Sequence, residues 1–342
     1  MRHLIQAAVP GTLDLHRNQD FSIQSAMRSI PVLALAMLGA ALPARPTQSP
    51  AAGKASVQVE MHNVLYHFTP SISVHIVNLQ GHLVSTEKQG IPIFDDANSF
   101  LLVIHSAEIS ITTDSLASAL NEYVLASPDA PLKEIHITTR GDKLRIRGRL
   151  HSKGDVPFET EGSLAVTSEG EIRVHTEKLR AAHIPLKGLM DLLGETVAKM
   201  IDTRRIQGLR AEKDDLILVA TELFPPPHIQ GSLSAISVHE NQIVQQFGTA
   251  VSLKAKISGN YMAYRGGQLR LGKITLSDTD LVLIDMNPSD PFDFYLDHYK
   301  DQLVAGYTKT TPSFGLRAYF RDYNKLPSAP TRRSRARTSP QQ

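Results

Sequence analysis

Two acidic segments in the last quarter of the chain contain residue types that bind cations. The first, Asp285 to Asp290, has oxygen-bearing side chains at alternate positions and faintly resembles a calcium-binding loop. It lacks the glycine that such a loop needs at its sixth position, and Leu296 stands where a bidentate glutamate belongs. Capping of a helix predicted to start at Asp290 explains the segment better.

The second acidic segment lies on that predicted helix. Asp293, Asp297 and Asp301 share one of its faces, with His298 nearby, and such a group could bind a cation weakly. A solvated acidic face is far more common at this spacing. The predicted inner face is apolar and consists of Phe292, Leu296, Tyr299 and Leu303. We therefore predict no metal site.

Compact catalytic motifs are missing from the sequence. The chain has no cysteine, which excludes thiol catalysis, disulfides and zinc–thiolate sites. No serine-hydrolase, zinc-protease, phosphate-loop or dinucleotide-binding motif is present, and the 14 histidines are scattered. We predict a protein that is not an enzyme and has no cofactor. A hydrolase whose groups converge from distant segments is a remote alternative.

A stripe of four cations follows one predicted strand: Lys143, Arg145, Arg147 and Arg149. Basic ridges can bind nucleic-acid phosphates, but no aromatic residues alternate with these cations, as single-strand binding requires. The predicted strand registers neutralise the stripe by pairing Arg149 with Glu134, Arg147 with Glu159 and Arg145 with Glu161. We predict a solvated face and no nucleic-acid partner.

The stretch from residue 131 to residue 202 organises the chain as a meander of four strands followed by a helix. Leu144, Ile146 and Leu150 alternate with the cations, the period-two pattern of a half-buried strand. Glycine-containing turns at 141–142, 152–154 and 168–170 join the strands. They predict these cross-strand neighbours: Ile137 and Ile146, Gly148 and Phe158, Leu164 and Val174, Val166 and Ile172. All three turns agree on one buried face.

The helix after the meander is predicted to open at Pro185 and to extend to Ile201. Its apolar face consists of Leu186, Leu189, Met190, Leu193, Val197, Met200 and Ile201. Burial of such a face contributes on the order of 10–20 kcal/mol before opposing terms. This is enough to form the core of the sheet or the wall of an apolar cavity.

Further patterns predict elements on both sides of the meander. Strands are predicted within 57–85, and a long strand over 100–112 changes phase midway, which indicates a bulge. Thr113 and Asp114 can cap a second helix with an apolar stripe of Leu116, Leu120, Tyr123 and Val124. A hairpin of 269–276 and 281–284 is predicted to turn at Asp278–Thr279.

The flanks of the folded region have distinct compositions. A positive start, a short apolar core and a small residue before a plausible cleavage point are typical of an export signal. The predicted organisation is 1–26 a spurious extension, 27–44 an export signal, 45–56 a disordered linker, 57–325 an α+β domain with a boundary candidate at 225–227, and 326–342 a disordered basic tail.

The order of elements resembles a known family. A long strand leads into a capped short helix over Ile109–Asn121, followed by the hairpin meander, the amphipathic helix of residues 184–201 and more strands. This is similar to the LmeA-like phospholipid-binding family, relatives of the tubular lipid-binding superfamily. The resemblance implies a long curved antiparallel sheet wrapped around one or two helices, with acyl chains in the gap. It also implies an exported or membrane-anchored envelope protein without catalytic residues.

The leading hypothesis is therefore an exported, periplasmic or envelope-associated protein that binds or transfers a phospholipid or another acyl lipid. Its predicted lipid-binding residues are Leu116, Leu120, Tyr123, Ile137, Leu144, Ile146, Leu164, Val174, Leu189, Met190, Leu193, Val197 and Met200. The basic tail could also rest on an anionic membrane, although a solubilising role explains it as well. The alternative is an envelope scaffold with the same fold, a solid core and no ligand. Oligomeric state is left open.

Overall fold

Strands dominate the described part of the chain and the helices within it are short, so the fold is the sheet-dominated α+β class that the alternating patterns predict. The computed structural model describes residues 56–88, 90–151, 155–181, 184–185, 203, 206–249 and 257–327. These residues lie within a compact unit, Ala52–Gln342. The predicted export signal, residues 186–201 of the predicted helix and the tail from residue 328 lie outside the described residues. Pro185, where that helix was predicted to open, lies instead in a two-residue strand with Ile184, so the predicted start of the helix is wrong.

Twenty strands are found in the described ranges. They are β1 (Val57–His67), β2 (Ser73–Ser85), β3 (Phe100–Thr112), β4 (Leu132–Arg140), β5 (Lys143–Leu150), β6 (Val156–Val166), β7 (Ile172–Ala181), β8 (Ile184–Pro185), β9 (Leu209–Glu212), β10 (Asp215–Leu218), β11 (His228–Gln230), β12 (Leu233–His239), β13 (Gln242–Gly248), β14 (Tyr261–Arg265), β15 (Leu269–Leu271), β16 (Ile274–Leu276), β17 (Asp280–Asp285), β18 (Phe292–Tyr295), β19 (Tyr307–Thr310) and β20 (Leu316–Phe320).

The strands form two large sheets and a small hairpin. The larger sheet has eleven strands in the order β12-β13-β3-β2-β1-β14-β17-β20-β19, with β11 beside β3 and β18 beside β1. The smaller sheet has seven strands in the order β4-β5-β6-β7-β10-β9, with β8 beside β7. Most neighbours are antiparallel, but β11, β18 and β20 pair in parallel with β3, β1 and β17.

The registers of the smaller sheet confirm most of the predicted meander. Opposite pairs include Ile137 and Ile146, Arg147 and Glu159, Arg145 and Glu161, Gly148 and Phe158, Leu164 and Val174, and Val166 and Ile172. In β3 the predicted bulge is also present. Gln80 faces Ser106 whereas Gly81 faces Ile104, so His105 is an extra residue on that strand.

The described helices are α1 (Thr113–Ala119) and α2 (Tyr299–Val304). The first continues as a π-turn over Leu120–Val124, and short 3-10 turns cover Ala220–Glu222, Leu296–His298 and Tyr323–Lys325. The cap of α1 is one residue earlier than predicted, because the Thr112 hydroxyl accepts a hydrogen bond from the Ser115 N–H at 3.1 Å.

The predicted third helix is wrong in its first turn. Phe292 to Tyr295 form strand β18, which pairs in parallel with the end of β1. All four of these side chains are buried, and Phe292 and Phe294 pack edge-on against Phe320 at ring distances of 6.0 and 5.9 Å. Packing on both faces favours an extended segment over a surface helix.

The predicted hairpin near the C-terminal end is also wrong. Residues 269–276 form their own two-stranded hairpin, β15 and β16, and β17 pairs with β14 instead. Gly266 and Gly267 both have positive φ, and backbone hydrogen bonds join Gly266 and Gly267 to Thr279. This bend allows β14 to pair with β17, and the short hairpin lies in the connection between these two strands.

One hydrophobic cluster joins the inner faces of both large sheets. The larger sheet contributes residues such as Val64, Leu79 and Ile111, and the smaller sheet contributes Leu144 and Val174. The described strands therefore share a core, and cavities within it are candidates for a ligand site.

Candidate functional site

Helix α1 is fastened to the larger sheet by one serine. The buried Ser115 hydroxyl donates a hydrogen bond to the Ser73 carbonyl oxygen and accepts one from the Ser73 N–H, both at 2.7 Å. Together with the Thr112 cap, this contact fixes the start of the helix against β2. The orientation of Leu116 and the turn that follows is set here.

Asn121 fastens the other end of α1 to the smaller sheet. Its side-chain amide donates to the Ile135 carbonyl oxygen at 2.7 Å, and its side-chain oxygen accepts from the Ile135 N–H at 2.8 Å. Strand β4 consequently bulges, with Glu134 at a φ of 52°, and Lys133 rather than Glu134 faces Arg149. The predicted Glu134–Arg149 pair is therefore wrong.

The π-turn after α1 changes which side chains point inward. The Leu125 N–H donates to the Leu120 carbonyl oxygen at 2.7 Å, a spacing of five residues rather than four. Leu120 and Leu125 are buried, whereas Tyr123 is 37% exposed. The prediction that Tyr123 shares the inner stripe is wrong, because that stripe assumed 3.6 residues per turn.

An apolar cavity of about 60 Å³ lies between this turn and the smaller sheet. We call it the aliphatic cavity. Its walls are Leu116, Leu120, Leu125, Leu132, Ile135, Ile137, Leu144, Ile146, Leu150, Phe158, Thr160, Val174, Thr176, Leu209, Leu216 and Leu218. Within these described walls the only aromatic ring is Phe158, and the polar side chains are two threonines. The buried Thr160 Oγ1 has no hydrogen-bond partner.

The structure places six of the predicted lipid-binding residues on the walls of this cavity: Leu116, Leu120, Ile137, Leu144, Ile146 and Val174. Tyr123 is on the surface, and Leu164 packs against the core without lining the cavity. The remaining five lie outside the described residues: Leu189, Met190, Leu193, Val197 and Met200.

Sequence reasoning missed wall residues of three kinds. Leu150 was predicted to lie on the buried face of the meander and Phe158 to lie opposite Gly148, but neither was assigned to a cavity wall. Leu216 and Leu218 come from an apolar strand that could have been assigned to the same wall. Ile135 and Leu125 had no usable local signal, because their positions depend on the Asn121 contact and on the π-turn.

The basic stripe lies on the opposite face of the smaller sheet and is partly neutralised as predicted. Arg147 pairs with Glu159 at 2.7 Å, and Arg145 approaches the same carboxylate at 3.7 Å. The hydrogen bond from Arg147 lowers the pKa of Glu159. Lys143, the first cation of the stripe, pairs with Glu177 on β7 rather than with a carboxylate of β6.

An open cleft follows one end of this charged face. Its walls are Glu134, His136, Arg147, Gly148, Arg149, Pro157, Phe158, Glu159 and Arg180. Cations and carboxylates both line the cleft, so it has no strong single-sign charge. We call it the outer cleft.

The acidic segments do not form the arrangement that the helix prediction implied. Asp293 is buried in β18, where its carboxylate lies 2.7 Å from His67 Nε2, whereas Asp301 is on α2 beside His298. The Asp290 carboxylate binds Lys325 and the Asn287 amide instead of capping a helix. Among the described residues, no group of three or more histidine and carboxylate side chains is arranged to bind a metal.

The His67–Asp293 pair could in principle orient a general base. Neither ring nitrogen of His67 has a hydroxyl group within hydrogen-bonding geometry in the described part of the chain. The pair is surrounded by Tyr295 and Tyr323, with ring distances to His67 of 5.9 and 5.8 Å. The geometry here is that of an imidazole–carboxylate contact under aromatic rings.

A second apolar cavity, of about 70 Å³, lies under the larger sheet. It is lined by Met61, Tyr66, Phe68, Val74, Ile76, Leu79, Leu83, Phe100, Leu102, Ile104, Ile109, Ala220, Phe224, Pro227, Ile229, Gln245, Phe247 and Tyr264. We call it the aromatic cavity, because six of these side chains are phenylalanine or tyrosine. No predicted lipid-binding residue lines it.

None of the helices within the described ranges has the length and apolar character needed to cross a bilayer. No family model matches the chain, and neither a curated protein nor a solved structure matches it. The similarity to the LmeA-like family therefore stays a prediction.

Proposed function

We propose that this chain is a non-catalytic lipid-binding protein that holds part of an acyl chain in the aliphatic cavity. The observation that carries the proposal is a cavity with almost wholly aliphatic walls, to which six predicted lipid-binding residues contribute. Aliphatic walls offer an acyl chain the transfer free energy of about 0.8 kcal/mol for each methylene removed from water.

The size of the cavity limits what it can hold. One water-sized sphere needs about 10–15 Å³ of such space, so about 60 Å³ has room for about four to six spheres of that size. A short segment of an acyl chain fits without rearrangement.

The outer face of the smaller sheet has cations that a membrane surface could contact. Arg149 and Arg180 line the outer cleft on the other face of the same sheet, and cations of this kind can rest against anionic headgroups. We further propose that the protein is exported and works at the cell envelope, in peripheral contact with a membrane. The predicted export signal supports this location.

One observation favours the alternative of an envelope scaffold without a ligand. Both cavities are small, and the inner faces of the two sheets belong to one hydrophobic cluster. A core that is nearly filled gives the same apolar pattern as a binding cavity. The two functions differ in whether the aliphatic cavity accepts hydrocarbon.

Uptake of a polyene fatty acid, whose fluorescence rises in apolar surroundings, tests the proposal. Val174→Leu places one extra methylene in the aliphatic cavity, and we expect it to weaken uptake about fourfold, the equivalent of one displaced methylene. Val84→Leu is the matched control, because Val84 is 42% exposed on β2. Circular dichroism checks that both variants are folded.

Equal uptake by the wild type and both variants would place the fatty acid elsewhere. No uptake by the folded wild type would favour the scaffold.

A further inference from the structure

A pair of histidines lies on the outer face of the larger sheet, away from both cavities. His82 Nδ1 and His105 Nε2 are 2.8 Å apart, and the ring centroids are 4.8 Å apart with an interplanar angle of 42°. His82 lies on β2 between the buried residues Gly81 and Leu83, so its ring points away from the core. His105 is exposed. Both rings are therefore reached from solvent.

The bulge in β3 positions the ring of His105. Val103 is the direct partner of His82, so His105 is its diagonal neighbour, at a place where Cα atoms are ordinarily about 7–8 Å apart. As the extra residue of the bulge, His105 has a re-aimed side chain. Glycines on both adjacent strands make room for this bulge. A Cβ atom at Gly81 would collide with the Val103 carbonyl oxygen, and one at Gly248 would collide with that of His105.

The distance between the two ring nitrogens matches that of two ligands on one metal ion. Bonds from histidine nitrogen to zinc are about 2.0–2.1 Å long, and those to similar divalent ions are comparable. Two such bonds at a right angle place their nitrogens about 2.8–3.0 Å apart, whereas a tetrahedral angle places them about 3.3–3.4 Å apart. The observed 2.8 Å fits the right angle of the square-planar and tetragonal sites that Cu²⁺ and Ni²⁺ prefer.

Both rings can present a lone pair to such an ion. Burial lowers the pKa of His82, and the charge of His105 adds to the decrease. The lower pKa favours the neutral imidazole, which is the form that binds metals. In the neutral pair one of the two facing nitrogens carries a proton. Transfer of that proton to the other nitrogen of the same ring frees both lone pairs without a change in charge.

The carboxylate nearest to the pair is already engaged. Glu60 lines a small open cleft together with His105, but its oxygens accept a hydrogen bond from the Tyr261 hydroxyl and pair with Arg265 at 3.2 Å. The protein therefore supplies two ligands at this place, and water completes the coordination because the rings face solvent.

We propose that His82 and His105 together form a surface site for a divalent transition-metal ion of the Cu²⁺ type. The ion replaces the hydrogen bond between the rings and is bound by His82 Nδ1 and His105 Nε2. The site touches neither cavity, so the inference does not depend on the proposed lipid-binding function.

Isothermal titration of the full chain with Cu²⁺, in a buffer that does not bind the metal, tests the site. We expect His82→Ala and His105→Ala each to bind one Cu²⁺ fewer per chain than the wild type. The double variant should lose the same single ion, because both rings bind one metal. Other copper-binding groups of the chain contribute equally to all these proteins, so the differences isolate the pair.

His239→Ala is the matched control, because His239 is an exposed histidine on β12, and it should bind as many ions as the wild type. Circular dichroism checks that all variants are folded. Unchanged stoichiometry in either single variant, or an equal loss in His239→Ala, would overturn the proposal. A double variant that lost two ions would also overturn it, since each histidine would then bind a metal alone.

Discussion

Asp285 is a buried carboxylate that the fold holds in hydrogen bonds. Its oxygens accept from the Asn260 side-chain amide at 2.9 Å and from the Asn287 N–H at 2.7 Å. Burial raises its pKa to about 6, against the opposing effect of these hydrogen bonds, and the charges of Asp322 and Asp290 add to the increase. The ionised form is therefore disfavoured in the folded state.

This pKa predicts a pH-dependent contribution to stability. The pKa is higher in the folded state than in the unfolded state, so the contribution is fully present below about pH 4 and is lost as pH rises through 6. Between pH 4 and pH 7 we expect the wild type to lose about 1–3 kcal/mol of unfolding free energy relative to Asp285→Asn. Urea unfolding at a series of pH values measures the difference.

Asp278→Asn is the control, because Asp278 is exposed and its substitution should give a curve parallel to that of the wild type. If the unfolding free energy of Asp285→Asn also varied with pH in parallel with that of the wild type, ionisation of Asp285 would carry no cost in stability.

Gly148 has no side chain, and the ring of Phe158, its neighbour on the adjacent strand β6, fills the space above it. A Cβ atom at this position would lie 2.7 Å from Ile135 Cδ1 and 2.9 Å from Phe158 Cε1. We expect Gly148→Ala to lower the unfolding free energy by about 1–3 kcal/mol through overpacking. Thermal and urea unfolding measure the loss.

A smaller side chain at position 158 makes room for the new methyl group. We therefore expect Gly148→Ala to cost less in a Phe158→Leu background than in the wild type, and a double-mutant cycle gives the coupling. Purely additive effects would mean that the two side chains do not meet.

Among the elements, α1 depends on the contact between Asn121 and the backbone of Ile135. Asn121→Ala leaves a buried N–H and a buried carbonyl oxygen without their partners. We expect a loss of about 2–4 kcal/mol in unfolding free energy, because each unsatisfied group costs about 1–3 kcal/mol. Ser118→Ala on the same helix is the control and should change stability by less than about 0.5 kcal/mol.

The same contact should influence the aliphatic cavity. Without Asn121 the bulge in β4 is no longer held, and Ile135 leaves its position on the wall. Amide hydrogen exchange at Ile135 should become faster in Asn121→Ala than in Ser118→Ala. Unchanged protection would show that the strand keeps its bulge without the side chain.

Local patterns predict the elements whose determinants are local. The registers of β4 to β7 follow from alternating residues and glycine turns, and the bulge in β3 follows from its change of phase. The π-turn, the bulge at Glu134 and the parallel strand β18 depend on contacts with distant segments. Asn121 bonds Ile135 across intervening turns, and β18 pairs with β1 from the opposite end of the domain. Such contacts leave little trace in neighbouring residues.

The candidate site likewise contains residues that local patterns predicted and residues that they did not. Ile137, Leu144, Ile146 and Val174 were predicted from strand alternation and line the aliphatic cavity. Tyr123 was assigned by helical spacing and is exposed, because the helix changes pitch at Leu120. The aromatic cavity was not foreseen, since its wall is assembled from residues between Met61 and Tyr264 that lie far apart in the chain.

At the scale of the whole molecule, the described strands form two large sheets around one core that contains two chemically different cavities. In our proposal the aliphatic cavity holds a hydrocarbon chain. A molecule of this kind would carry apolar guests without altering them. The central claim is that acyl lipid occupies the aliphatic cavity.

Native mass spectrometry of the full chain, purified without detergent, tests that claim most directly. We predict a fraction of the protein with added mass equal to an acyl lipid, and a smaller such fraction for Val174→Leu than for the exposed-site variant Val84→Leu. A single ligand-free mass for the folded wild type, even after incubation with phospholipid vesicles, would contradict the account.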